Sequence, residues 1–134
     1  MLHVTIVTPF GMVYDGEAEE VCAPGFEGEF GVLDNHIPFL TRGREGVASL
    51  MIQGKKTYYA VGQSFIEVGP NKVLILAESA LTADQIEREK VEADLAAAEK
   101  RLAESDLRLD DPVVDRIKHD IGLAQARLKV IGMH

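Results

Sequence analysis

The sequence predicts an α+β protein, with an N-terminal antiparallel β-sandwich over residues 1–80 and a C-terminal antiparallel α-helical hairpin over residues 81–134. Before Ala80, short segments rich in β-branched residues alternate apolar and polar positions between turn residues, as strands of a sandwich do. After Ala80, apolar residues recur at helical spacing among charged residues. This change of period predicts two domains of different secondary structure.

The strands are predicted one by one from alternation and turn residues. Leu2–Val7 is a strand, and the Asp15-Gly16 pair is a strong hairpin signal between Met12–Tyr14 and Glu17–Ala23. Two further hairpins pair Gly46–Ile52 with Lys55–Val61 across Gln53-Gly54, and Ser64–Val68 with Lys72–Ala77 across Gly69-Pro70-Asn71.

The helices are predicted from caps and apolar stripes. Thr82 with Gln85 is a capping-box pattern, and Asp111 before Pro112 is an N-cap followed by proline at the first helical position. The apolar stripes are Val91, Leu95, Ala98 and Leu102 in the first helix, and Ile117, Ile121, Ala124, Leu128 and Ile131 in the second. Such stripes can be covered by the other helix, by the sandwich or by another protein, so the hairpin is a candidate conformational switch.

Composition excludes several functions. The net charge of −8 argues against nucleic acid or a bare anionic membrane as a partner. No apolar run approaches the roughly 20 residues that span a bilayer, and the N-terminus lacks the features of a signal peptide. The single cysteine and four histidines have no ligand spacing, so we expect neither a disulfide nor a metal site.

Between the two predicted hairpin regions, Gly25–Leu40 reads GFEGEFGVLDNHIPFL. Its regularly spaced glycines indicate a shaped loop that carries Glu27 and Glu29. Paired carboxylates can perform acid–base chemistry, but no second acid–base group accompanies them. From the residues alone, a solvated loop is favoured over a docking loop. For His36, the role of a turn residue is favoured over a catalytic role.

The segment GEFGVLDNHIPFLT resembles the signature of the epsilon subunit of the rotary F-type ATP synthase. The resemblance covers the whole chain, because VTPFGMVYDGEAEEVCAPG, QSFIEVGPNKVLILAESA and the charged tail follow in the same order and spacing. It implies the same sandwich and hairpin. It also implies a non-catalytic central-stalk subunit that couples rotation of the membrane ring to ATP synthesis and inhibits ATP hydrolysis through its C-terminal helices.

The resemblance implies partners and a location as well. The partners are the gamma subunit, the proton-driven ring of c subunits and the catalytic alpha and beta subunits, with no nucleic acid and no direct membrane insertion. The expected location is peripheral, on the cytoplasmic face of the bacterial inner membrane. The implied rotor-docking residues are Glu27, Gly28, Glu29, Val32, Leu33 and His36, and the implied regulatory contacts are Arg116, Lys118, Arg127 and Lys129.

Some members of this family bind ATP through an Ile/Leu-Asp-x-x-Arg-Ala motif in the first helix. The matching positions here are Ile86, Glu87 and Lys90, and the lysine cannot offer the planar fork of an arginine to a phosphate. Leu123 occupies the position of an expected arginine in the second helix, although Arg127 is present. We therefore expect no cofactor, and weak or absent ATP binding.

Two other functions stay open at this stage. One is a freestanding small-molecule-binding or enzymatic β-sandwich with a helical dimerisation hairpin. The sequence offers it no metal triad, no activated nucleophile and no phosphate-binding loop. The other is a structural adaptor, which differs from the central-stalk subunit implied by the resemblance only in lacking regulation.

Overall fold

The computed structural model describes residues 1–33, 37–105 and 111–133. Within these ranges, ten strands precede a 3-10 turn and two helices. The strands are β1 (Leu2–Thr8), β2 (Gly11–Ala18), β3 (Glu20–Gly25), β4 (Gly28–Val32), β5 (Phe39–Gly43), β6 (Gly46–Ile52), β7 (Lys55–Val61), β8 (Ser64–Gly69), β9 (Lys72–Ala77) and β10 (Ala80–Leu81). The 3-10 turn is Ala83–Gln85, and the helices are α1 (Arg88–Glu104) and α2 (Pro112–Ile131).

The strands form a sandwich whose two halves share one core. They follow the order β10-β7-β6-β3-β5-β8-β9-β1-β2, with β4 paired to β3. The halves join where Gly25 of β3 pairs with Gly43 of β5. A side chain at Gly43 would place its Cβ 2.2 Å from Ser64 Oγ and 3.1 Å from the carbonyl oxygen of Pro24, so this corner requires glycine.

The sandwich and hairpin confirm the predicted fold class, with one refinement. β1 pairs in parallel with β9, whereas the other strand pairs in the described part of the chain are antiparallel. Leu2, Val4 and Ile6 of β1 are fully buried, as the alternation of that strand predicts. The core contains buried residues of both halves, including Leu50 and Ile66.

The hairpin turn predicted at Asp15-Gly16 is wrong. β2 runs straight through both residues and pairs with β1, so the chain reverses at Pro9 and Phe10 instead. Asp15 is used across the ladder, where its carboxylate accepts from Thr5 Oγ1 at 3.2 Å and lies 2.7 Å from His3 Nε2. This cross-strand bonding replaces the local bonding that an Asp-Gly turn would use.

The two later hairpins are confirmed. At the β6–β7 turn, Gln53 and Gly54 have positive φ angles of 50° and 78°. The carboxylate of Glu19 accepts from both of their backbone amides, at 3.1 and 3.3 Å. β5 was not predicted, because Pro38 and the polar residues of Thr41–Gly43 obscure its alternation.

The first helix begins later than its capping box suggests. Gln85 Oε1 accepts from the backbone amide of Thr82 at 3.0 Å, but this box closes only the 3-10 turn. Ile86 is extended, with φ −112° and ψ 125°, so α1 starts at Arg88. The predicted cap of α2 is confirmed, because the Asp111 side chain accepts from the backbone amide of Val113 at 2.9 Å.

The two helices pack antiparallel and α2 also lies on the sandwich. Of the predicted α2 stripe, Ile117 and Ala124 are buried and the others are partly covered. A second apolar row, which the pattern did not single out, consists of Ala126 and Val130 and packs against Ala60 of β7. The second helix therefore has two packing partners within the chain.

Candidate docking and regulatory surfaces

The predicted acidic docking segment forms the turn between β3 and β4. Glu27, Gly28 and Glu29 are all exposed there. Gly28 has a φ of +133°, a conformation that L side chains rarely adopt, so glycine is required to close the turn. Both carboxylates therefore stand at one end of the sandwich, in contact with solvent.

An aromatic and basic cluster that sequence reasoning missed lies beside this turn. The Phe26 ring is 59% exposed, and the guanidinium carbons of Arg42 and Arg44 lie 5.4 and 5.9 Å from its centroid. These distances are within cation–π range. The signal available in the sequence was an aromatic residue next to two acidic ones, but the arginines reach it only through the β3–β5 corner.

Of the remaining predicted docking residues, Val32 and Leu33 differ in how exposed they are. Val32 is fully buried in the core, so it supports the end of the sandwich and does not itself face a partner. Leu33 is 56% exposed, so it can reach a partner. His36 lies outside the described residues. The alternation of β4 explains the difference, because successive side chains of a strand point to opposite faces.

The outer face of the second half of the sandwich carries an exposed apolar row. Leu40, Phe65 and Leu76 are 69%, 57% and 49% exposed. Phe65 pairs with Leu76, which pairs with Val7 of β1, so Val7, Phe65 and Leu76 lie side by side across three strands. These three residues and Arg42 line a cavity of about 400 Å³, whereas Leu40 lines a neighbouring groove that also contains Phe65. Contiguous exposed apolar surface of this kind is typical of a protein-binding face.

The four basic residues predicted on α2 do not form one surface. Lys118 and Lys129 line a groove between α2 and the β3–β4 end of the sandwich. Arg127 lines the opposite side of the helix, towards α1, and Arg116 approaches Asp120 at 3.9 Å on that side. Arg116 and Lys118 are two residues apart, as are Arg127 and Lys129. Because each residue turns the helix by about 100°, the two members of each pair lie on opposite sides.

The cavity between the helices has a volume of about 250 Å³ and is lined by Asp94, Arg101, Asp120 and Arg127, among others. Arg101 Nη2 lies 3.3 Å from Asp120 Oδ2, so this guanidinium already has an anionic partner. Arg127 Nε is buried and has no hydrogen-bond partner among the described residues. The cavity is therefore a small site with one uncommitted guanidinium edge.

The positions of the altered ATP motif lie around the start of α1. Ile86 packs against the contact between α2 and the sandwich. Glu87 is the N-cap residue of α1 without a side-chain capping bond, and Lys90 is exposed. None of the three lines the cavity between the helices.

Within the described ranges, no three His, Cys, Asp or Glu side chains are grouped so that they could hold a metal ion. Neither described helix is both long and apolar enough to cross a membrane. Together, the sandwich, the hairpin and the exposed surfaces define a class of protein that works by docking to partners.

Comparisons with known proteins identify the family. Residues 1–83 match the family model of the ATP synthase Delta/Epsilon chain β-sandwich domain. The chain is 40% identical over 131 residues to the ATP synthase epsilon chain of Nitratidesulfovibrio vulgaris, covering 98% of this chain and 96% of the relative. It is 43% identical over 133 residues to that of Desulforapulum autotrophicum, covering 97% and 95%. The chain therefore belongs to the family of ATP synthase epsilon chains, which are non-catalytic subunits.

Solved structures share the fold. One is a chain of the mitochondrial ATP synthase of Euglena gracilis, solved as OSCP/F1/c-ring, with a TM-score of 0.81 and 20% identity over 99% of this chain and 81% of that one. Another comes from the central stalk and c-ring of the Tetrahymena thermophila mitochondrial enzyme, with a TM-score of 0.62 and 14% identity over 97% and 96%. The family resemblance on which the sequence prediction rested is confirmed.

Proposed function

We propose that this chain couples rotation of the membrane ring to ATP synthesis as a rotor subunit, and that its helical hairpin restrains ATP hydrolysis. The observation that carries the proposal is the match to epsilon chains over nearly the whole length, which includes the hairpin as well as the sandwich. In this proposal, residues 1–80 dock to the rotor and residues 81–134 regulate.

Two surfaces of the sandwich suit two rotor partners. The apolar row of Leu40, Phe65 and Leu76 suits the gamma subunit, because a permanent contact with a shaft is stabilised by burying apolar surface. The turn of Glu27 to Glu29, with Phe26 between its two arginines, suits the polar loops of the c subunits. An aromatic side chain surrounded by charged residues is typical of contacts in which two proteins must keep a fixed alignment.

The hairpin offers its basic residues to the catalytic alpha and beta subunits. Lys118 and Lys129 are exposed, but they border the groove between α2 and the sandwich, so the docked sandwich flanks them. The Arg116 side chain, on the other side of the helix, is 80% exposed. We infer that full contact with an acidic segment of a beta subunit requires α2 to leave the sandwich.

We also propose a location for the chain, on the basis of its family. As a peripheral subunit without a described membrane-crossing helix, the chain would sit on the rotor at the cytoplasmic face of the bacterial inner membrane. The alternative of a freestanding enzymatic sandwich is not favoured, because relatives at about 40% identity over their whole length are epsilon chains.

ATP binding by the hairpin is proposed to be weak or absent. The cavity between the helices, at about 250 Å³, lies below the roughly 300–1,000 Å³ of ordinary ligand pockets. Arg101 is already paired, which leaves only Arg127 to meet a phosphate. Calorimetric titration of the full chain with ATP should show no submillimolar binding. If submillimolar binding is observed and an Arg127→Ala variant abolishes it, this expectation is overturned.

The proposal is tested with the cognate catalytic core, reconstituted with the full chain or with a version that ends at Ala83, where the family match ends. Binding of each form is measured in parallel with ATP hydrolysis. We expect both forms to bind and only the full chain to slow hydrolysis. Equal hydrolysis rates would make the chain a coupling adaptor without regulation, and failure of both forms to bind would reject the rotor role.

A further inference from the structure

The imidazole of His119 lies between two carboxylates of the sandwich. Its Nδ1 contacts Glu45 Oε1, and its Nε2 lies 2.8 Å from Glu78 Oε1. The His119 and Glu45 side chains are only 15% and 10% exposed, while that of Glu78 is 43% exposed. Glu45 lies between β5 and β6, and Glu78 follows β9, so one residue of α2 ties both halves of the sandwich to the hairpin.

The geometry selects one protonation state of this histidine. An ionised carboxylate only accepts hydrogen bonds, and a neutral imidazole has one donor and one acceptor nitrogen. Because both ring nitrogens of His119 face carboxylate oxygens, only the imidazolium can donate to Glu45 and Glu78 together. Loss of the proton would place a nitrogen lone pair against a carboxylate.

Both carboxylates accept hydrogen bonds from a further residue, Gln63. Gln63 donates from Nε2 to Glu45 Oε1 at 2.9 Å and from its backbone amide to Glu78 Oε1 at 3.0 Å. Burial by itself would raise the pKa of the Glu45 carboxyl, but hydrogen bonds from His119, the backbone and Gln63, with the charge of His119, bring the pKa below its ordinary value. Glu45 therefore remains an acceptor throughout the neutral range.

Other charged groups line the groove beside Glu45. They are Lys118 and Lys129 on α2 and Glu29 and Arg44 on the sandwich, whereas Arg116, Asp120 and Arg101 lie on the side of α2 that faces α1. Carboxylates ordinarily titrate near pH 4, and lysine and arginine above about pH 10. His119 is thus the group at this junction whose residue type ordinarily changes charge near neutral pH.

The same contact also has an apolar part. It consists of Ala126 and Val130 against Ala60, with Val47, Tyr58, Ala83 and Ile86 packed around them. Gly122 of α2 faces Glu45, and a Cβ there would lie 3.4 Å from Glu45 Cβ. The contact of His119 with its carboxylates is therefore a polar addition to this apolar contact, and both hold α2 on the sandwich.

We propose that His119 is a proton-operated latch, which in its protonated form holds α2 on the sandwich and which releases the helix as it deprotonates. The docked state holds a proton that the released state gives up, so docking weakens as the pH rises. At much lower pH, below the ordinary range of a carboxylate, protonation of Glu45 removes the contact again.

The test follows the position of α2 in the full chain. Spin labels are attached at Val113→Cys in α2 and Lys56→Cys in β7, in a Cys22→Ser background, and the distance distribution is measured between pH 6 and pH 8. Both labelled positions are exposed. We expect the ratio of released to docked chains to rise about threefold or more per pH unit, up to the tenfold limit for one proton. A ratio that stays constant or falls would overturn the latch.

Variants separate the latch from general weakening of the contact. His119→Gln is expected to remove the pH dependence, and Glu78→Gln to reduce it, because an amide can serve a neutral imidazole as donor. His3→Gln is the matched control, since His3 pairs with Asp15 at 2.7 Å on β1 and β2, away from α2. Val130→Ala should raise the ratio of released to docked chains by the same factor at every pH. If His119→Gln keeps the original pH slope, His119 is not the latch.

Discussion

The sandwich and the hairpin bury apolar surface in very different ways. The sandwich has a continuous core with members in most of its strands, and residues such as Leu50 and Ile75 are almost completely buried. The hairpin contacts the sandwich through a separate, smaller cluster, which contains Ala126 and Val130 with Ala83 and Ile86 packed beside them, and through the polar contact of His119. The difference teaches that one domain is fixed by its own core, whereas the position of the other depends on a few replaceable contacts.

The largest expected effect is in the core of the sandwich. Leu50→Ala should lower the free energy of unfolding of the sandwich by about 2–5 kcal/mol, because it removes buried methyl groups and leaves a cavity. Urea denaturation, monitored through a signal that reports on the strands, measures this change in the free energy of unfolding. Val130→Ala, at the helix contact, should leave the sandwich transition nearly unchanged. If both variants cost the sandwich equally, the comparison between the domains fails.

A smaller effect is expected within α2. Gly122→Ala should stabilise the helix by up to about 1 kcal/mol, because alanine has a higher helix propensity than glycine. The added Cβ would meet Glu45 at 3.4 Å, an ordinary contact, so docking should be retained. Helix content by circular dichroism and the labelled distance described above check both parts. A loss of docking in this variant would show that the junction tolerates no added atom.

The smallest effect is expected between the helices. Arg101→Ala should lower hairpin stability by about 0.2–1 kcal/mol, because the Arg101–Asp120 pair is half exposed and weakened by salt. The difference from the unaltered chain should shrink further at high salt. A cost that is large and independent of salt would mean that this pair, not packing, holds the helices together.

Sequence alone predicted the architecture well, because its signals are local. The alternation of β1, the turn at Gln53-Gly54 and the Asp111 cap all act within a few residues. The failures are long-range. Asp15 bonds across a ladder to His3, which no local turn rule anticipates, and Ile86 is extended despite the capping box before it.

The candidate surfaces were predicted less completely for the same reason. Glu27 and Glu29 are exposed as expected, but their neighbours Arg42 and Arg44 arrive through strand pairing. The contact of His119 with Glu45 joins residues 74 positions apart. A lone histidine on a charged helix gives no signal of such a partner, so only the packed structure shows it.

The central claim is that the sandwich holds together through its own core while α2 is held by a separable contact. Native-state amide hydrogen exchange of the full chain, measured over increasing denaturant, tests it most directly. The account predicts that α2 amides exchange through an opening of lower free energy and lower denaturant dependence than amides of β6 and β7. If α2 and these strands instead exchange through one opening with the same free energy, the hairpin and the sandwich are a single cooperative unit, and the account is contradicted.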